Sequence, residues 1–91
     1  MTIPYTKQFF TKLETLYDQG GYKLRYEKGN FKSGYCILET SKIIVVNKFA
    51  SLDTKINILL EILANLDFNQ QLLDDKNSEL LAQLKQTEIK L

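Results

Sequence analysis

Lys42-Ile-Ile-Val-Val-Asn-Lys48, running into the segment Ser51 to Leu66, is the stretch around which this chain can build a core. Ile43 to Val46 is an unbroken β-branched run, too short for a helix and flanked by polar residues. That pattern predicts a strand covered on both faces. Ser51 is a good helix cap, and Leu52, Ile56, Leu59, Leu60, Leu63 and Leu66 fall on one stripe at helical spacing. Ile58 and Ile62 widen the stripe, leaving Asp53, Thr54, Asn57, Glu61 and Asn65 a narrow polar face. A helix over 51–67 with so little polar surface needs a second cover. Leu73, Leu80, Leu81, Leu84 and Leu91 can supply it from a C-terminal helix over 74–90 capped by Asp74. Residues 68–73 read as a connector in which a helical turn fits.

Upstream, residues 4–19 predict an amphipathic helix. Tyr5, Phe9, Phe10, Leu13, Leu16 and Tyr17 share one arc, with Pro4 in the first turn and Gly20-Gly21 as the stop. Tyr22 to Lys28 alternates strictly, placing Tyr22, Leu24 and Tyr26 opposite Lys23, Arg25 and Glu27. A glycine-bracketed loop, Lys28-Gly-Asn-Phe-Lys-Ser-Gly34, leads to a strand over 35–40, and Thr40-Ser41 turns into the strand over 42–48. Short connections imply antiparallel hairpins, so the expected fold class is α+β. It is a three-stranded antiparallel meander with helices mainly on one face, in the order α-β-β-β-α-α. The 91 residues are expected to make one domain, 1–91.

Composition narrows the function. The chain has no histidine, which removes Ser-His-Asp and Cys-His nucleophilic sites and the common zinc sets. One cysteine, Cys36, precludes an internal disulfide and suits a reducing compartment. Met1 to Gln8 lacks the basic start and apolar run of a signal peptide, and no stretch is apolar enough to span a bilayer. A cytoplasmic location is therefore expected. No Walker, Rossmann or calcium-loop pattern occurs. We expect no catalysis, no cofactor and no metal.

Three features bear on binding. Residues 1–48 carry a net charge of +4 and residues 49–91 a net charge of −3, a polarity that can guide association with a partner or a second copy. Lys23, Arg25, Lys28 and Lys32 form a candidate nucleic-acid or anion contact, helped by Lys42, Lys48 and the glycine-bracketed loop. The tyrosines at 22 and 26 share Leu24's face and are expected in the core, not as stacking platforms. Phe31 is expected to tuck over the sheet edge, and Cys36 to be a buried, inert apolar residue. A reactive thiol is the alternative, because Arg25 and Lys28 are near in sequence.

Over residues 5–67 the chain resembles short bacterial α+β proteins of unknown function. They combine Arg-Tyr-Glu-Lys-Gly (here Arg25 to Gly29), Gly-x-Cys (Gly34-Tyr35-Cys36) and Val-Asn-Lys (Val46-Asn47-Lys48). The resemblance implies a fold and a bacterial source, with no activity to carry over. In topology alone, residues 4–67 are similar to the double-stranded-RNA-binding domain, whose second helix begins with a lysine cluster. The corresponding site here is Ser51-Leu52-Asp53-Thr54-Lys55, with one lysine and an aspartate. Residues 42–66 look like the strand-helix unit of compact zinc metallopeptidases. The His-Glu-x-x-His positions of that unit fall at Glu61, Ile62 and Asn65, so a relative would be non-catalytic. The leading expectation is a small cytoplasmic, non-catalytic module that binds another protein or itself. Nucleic-acid binding through the basic strand-loop surface is the alternative, and a degenerate metallopeptidase relative the second.

Overall fold

The computed structural model describes residues 3–28, 34–66, 68 and 70–87. Helix α1 spans Lys7–Gln19, strands β1, β2 and β3 span Lys23–Glu27, Tyr35–Leu38 and Ile43–Asn47, and helices α2 and α3 span Leu52–Asn65 and Asp75–Thr87. Short 3-10 turns lie at Glu39–Ser41 and Gln70–Leu72. The class is α+β, as expected, but the sheet is not a meander. Its order is β1-β3-β2, with β1 parallel and β2 antiparallel to β3.

The physical reason lies in the strand expected to be buried on both faces. A central strand is covered by neighbours at both edges, and Ile43 to Val46 is the most continuously apolar of the three. An edge place in a meander would leave it half unpaired. Seven residues between Glu27 and Tyr35 suffice to pass the end of β3, because the gap is two strand spacings, about 10 Å. Both ends of that connection are tied to β3. Asn47 N–H donates to the Gly34 carbonyl at 2.9 Å, and Lys48 N–H donates to the Glu27 carbonyl at 3.1 Å. At the opposite end Lys42 adopts φ 54°, and its carbonyl accepts from Lys23 N–H at 2.9 Å.

Local signals set the helix ends. Helix α1 begins at Lys7, not Pro4, because the Thr6 hydroxyl accepts from Phe9 N–H at 3.2 Å and so caps the helix. It stops in a Schellman motif: Tyr22 N–H reaches the Tyr17 carbonyl at 2.9 Å, and Gly21 N–H reaches the Asp18 carbonyl at 3.1 Å. Gly21 carries the φ of 89° that this motif requires and that L side chains resist. Ser51 caps α2 through Thr54 N–H at 3.2 Å. Asp74 caps α3 through Asn77 N–H at 2.8 Å.

All three helices contribute to one apolar cluster with the sheet. Phe9, Leu13, Leu16 and Tyr17 enter it from α1, Leu81 and Leu84 from α3, and six residues from α2, including Ile58 and Ile62. The C-terminal helix thus shares one core with α2 and packs chiefly on α1. It is clamped to the end of α1 by a reciprocal pair, Gln19 Nε2 donating to Asp74 Oδ2 and Asp74 N–H donating to Gln19 Oε1, both at 2.9 Å. The connector adds Phe68, whose ring stands edge-on to Tyr17 and Tyr22 with centroids 5.3 and 5.4 Å away. Phe68 fits only because residue 20 is glycine; a Cβ there would overlap the edge of its ring.

The sheet takes up one side of this cluster only. Ile44 and Val46 are fully buried in it, and Leu24, Tyr26, Tyr35 and Ile37, their register partners, pack against it. The other face of the same strands carries Lys23, Arg25, Glu27, Cys36, Leu38, Ile43, Val45 and Asn47, and none of these joins the cluster. As expected, the helices lie on one face of the sheet, and β3 is buried on both, with Val45 buried on the far side. Among the described residues no helix covers the far face of β3.

Candidate interaction surface

Two apolar residues of β3 point away from the helices. Val45 stands at the centre of the outer face, between Arg25 and Cys36, and Ile43 stands between Lys23 and Leu38. Val45 is buried yet lies outside the core, and Leu38 is 45% exposed. An ordinary half-solvated antiparallel sheet would carry polar side chains here. Instead the face has an apolar half formed by β3 and β2, and a charged half formed by β1.

Of the basic residues singled out from the sequence, Lys23 and Arg25 share this face, two residues apart along β1. Arg25 is ion-paired to Glu27, with both side chains about half exposed. That pair contributes little stability and is readily exchanged for another carboxylate. Lys28 lies just past the strand end, beside Lys48, because Lys48 N–H is bonded to the preceding carbonyl, that of Glu27. Lys32 and Phe31 lie outside the described residues, as does most of the loop proposed to cradle an anion.

The tyrosines are placed as expected, on the core side. Tyr26 donates to Glu14 Oε2 at 2.7 Å and has the Lys55 ammonium 5.5 Å from its ring centroid. Burial, reinforced by the Glu14 carboxylate, pushes the Tyr26 hydroxyl pKa well up. Tyr17, buried in the core, donates to the Leu59 carbonyl at 2.5 Å, and burial raises its pKa far above the usual phenol range. Neither ring is available to stack on a base. Cys36 is only partly buried, contrary to the expectation of a fully buried residue, because its strand face has no helix above it.

Sequence reasoning passed over Phe49. It is 69% exposed in the turn between β3 and α2, with Lys48 Nζ 5.3 Å from its ring centroid. Its N–H is held by Asn47 Oδ1 at 3.0 Å. The signal was a single apolar residue in the polar junction Asn47-Lys48-Phe49-Ala50-Ser51.

Elsewhere the chemistry is sparse. A cleft of about 500 Å³ between α1 and α3 is lined by Thr11, Lys12, Thr15, Asp74, Asn77 and Leu80 among others, with charges of both signs and no convergent set. The Glu61 carboxylate accepts from the Tyr35 hydroxyl at 3.0 Å, Asn65 bonds to the helix's own Glu61 carbonyl, and Ile62 is buried in the core. Among the described residues no three His, Cys, Asp or Glu side chains are grouped to hold a metal ion. No described helix is long and apolar enough to cross a membrane.

No family model, curated protein or solved structure matches the chain. Its function must be argued from this surface.

Proposed function

We propose that this chain is a non-catalytic interaction module that binds another protein, or a second copy of itself, through the face of its sheet that no described helix covers. One observation carries the reading: the central strand is apolar on both faces while the helices occupy only one. Apolar area left exposed beside that strand, Leu38 above all, is a cost to an isolated molecule and an asset to a docking surface. Leu81 and Leu84, from the leucine stripe that could have served assembly, lie in the core, with Leu73 and Leu80 packed against it.

The single cysteine gives a direct test. A photo-crosslinker on Cys36 should join the chain to a discrete protein, or to itself, when activated in native extract. The same reagent on a cysteine replacing Glu79, in a Cys36→Ser background, should not. Equal adducts from both positions, or none from Cys36, would refute the proposal.

A second reading is favoured by Phe49. An exposed ring with the Lys48 ammonium over it, and Lys28 next in sequence to the carbonyl that holds Lys48 N–H, is a combination that can stack on a base while neutralising the adjoining phosphates. Retention of single-stranded RNA or DNA should then weaken steeply with salt, with the slope reduced by about 0.7 for each of Lys28→Gln and Lys48→Gln. Absence of retention at low salt would remove this reading.

A further inference from the structure

We infer that the free edge of β2 pairs antiparallel with the same edge of a second copy, about a two-fold axis at Cys36, joining two sheets into one. This goes beyond docking on the open face of the sheet. The contact is made by the strand's backbone, and its occupant is another molecule of this chain.

Backbone direction comes first. Antiparallel pairs alternate between hydrogen-bonded and non-bonded. Asn47 N–H donates to the Gly34 carbonyl, so the bonded pairs that follow are Cys36 with Val45 and Leu38 with Ile43. Tyr35 and Ile37 therefore turn their N–H and C=O groups away from β3, and no other described backbone group bonds to them. Open edges are ordinarily guarded by lysine or other charges, by proline or by a bulge. At the opposite edge β1 carries Lys23 and Arg25. Strand β2 reads Tyr-Cys-Ile-Leu and has none of these guards.

Register decides the occupant. A two-fold axis centred on Cys36 sets Tyr35 against Ile37 of the second copy, and Ile37 against its Tyr35, so both outward residues of each strand are bonded. An axis at Tyr35 or at Ile37 bonds only that residue, because the other's counterpart falls outside Tyr35–Leu38. Cys36 then meets its own copy as a non-bonded pair with Cα atoms about 4.5 Å apart, a spacing that suits a small uncharged side chain. Leu38, 45% exposed, comes beside Gly34 of the second copy, which has no side chain to oppose it. The seam thus asks for a short uncharged strand, small at its centre and preceded by glycine. Strand β2 is itself that strand. So short a seam makes a weak dimer, with Kd on the order of 0.1 mM.

The full chain under reducing conditions tests this. Sedimentation between about 10 µM and about 1 mM should show mass rising towards the dimer. Over the same range, amide exchange at Tyr35 and Ile37 should slow about threefold or more, while Leu24 and Tyr26 on β1 stay unchanged. Cys36→Lys and Cys36→Asp should each be monomeric, because like charges then stand directly opposite at the axis. Mixed together they should form a heterodimer, with circular dichroism confirming that each variant folds. A chain that stays monomeric up to about 1 mM overturns the inference. A dimer whose Tyr35 and Ile37 amides exchange as fast as in the monomer also overturns it, while leaving docking through the open face standing. So does a Lys and Asp mixture that associates no better than either variant alone.

Discussion

Replacing Gly20 by alanine should destabilise the protein, although a simple reading of the site gives the opposite sign. Gly20 closes α1 at φ −74°, a conformation alanine adopts without strain. At such positions the substitution ordinarily stabilises by about 0.4–1 kcal/mol, because the unfolded chain loses freedom. Here the new methyl meets Cδ1 and Cε1 of Phe68, a ring held edge-on by both Tyr17 and Tyr22. Overpacking costs about 1–3 kcal/mol, and displacing the ring forfeits part of two aromatic contacts worth about 0.5–1.5 kcal/mol each. The net expectation is a loss of about 2 kcal/mol, or about 10 °C in Tm for a domain of this size. Urea unfolding followed by tyrosine fluorescence measures it. Phe68→Leu, which makes room, should recover part of the loss when combined with Gly20→Ala. A Gly20→Ala protein as stable as the parent, or more so, would refute the packing of Phe68 against the end of α1.

Three further outcomes are expected. Leu84→Ala should cost about 2–5 kcal/mol, because Leu84 is 1% exposed within the shared core; a cost under 1 kcal/mol in denaturant melts would detach α3 from that core. The Asp74 carboxyl is held below the usual range by the Gln19 amide and the Asn77 N–H, so its contribution is fully present above about pH 4 and is lost as pH falls through the lower folded value. Asp74→Asn should therefore flatten the acid limb of stability against pH, and an unchanged limb would contradict the clamp. Burial raises Tyr17, Tyr26 and Tyr35, with the carboxylates Glu14 and Glu61 adding to the last two, so stability should fall as pH rises beyond about 10, where unfolded tyrosines ionise first. Ultraviolet titration should show Tyr17 ionising only with unfolding.

The elements were legible in the sequence because their signals are local. The stripe of α2, the strict alternation of β1 and the glycine stop of α1 each depend on neighbours a few residues away. The missed start of α1 was local too: Thr6 stands three residues before Phe9, the spacing of a capping hydroxyl, and Pro4 drew the boundary too early. Strand order was harder. Connection length argued for a meander, yet the continuous apolar run Ile43 to Val46 already indicated a central strand, and that signal should have outweighed the loop. One-sided helix packing was expected, and Tyr22, Leu24 and Tyr26 marked the core side of β1, but β3 is apolar on both faces and carries no such mark. Alternation shows which residues share a face, but only packing shows which face the helices choose. For the candidate site, Lys23 and Arg25 were found because charge at alternate positions is visible in sequence. Their apolar neighbours across the sheet, Val45 and Leu38, depend on a register that no local pattern encodes.

The central claim is that the helices cover one face of the sheet and leave the other open for a partner. Methyl resonances of the free protein, recorded with a soluble paramagnetic agent, test it most directly. Leu38 and Ile43 should broaden strongly, while Ile44 and Val46, fully buried on the other face of β3, should stay sharp. If Leu38 and Ile43 proved as protected as Ile44 and Val46, the sheet would be covered on both sides and the proposed surface would not exist.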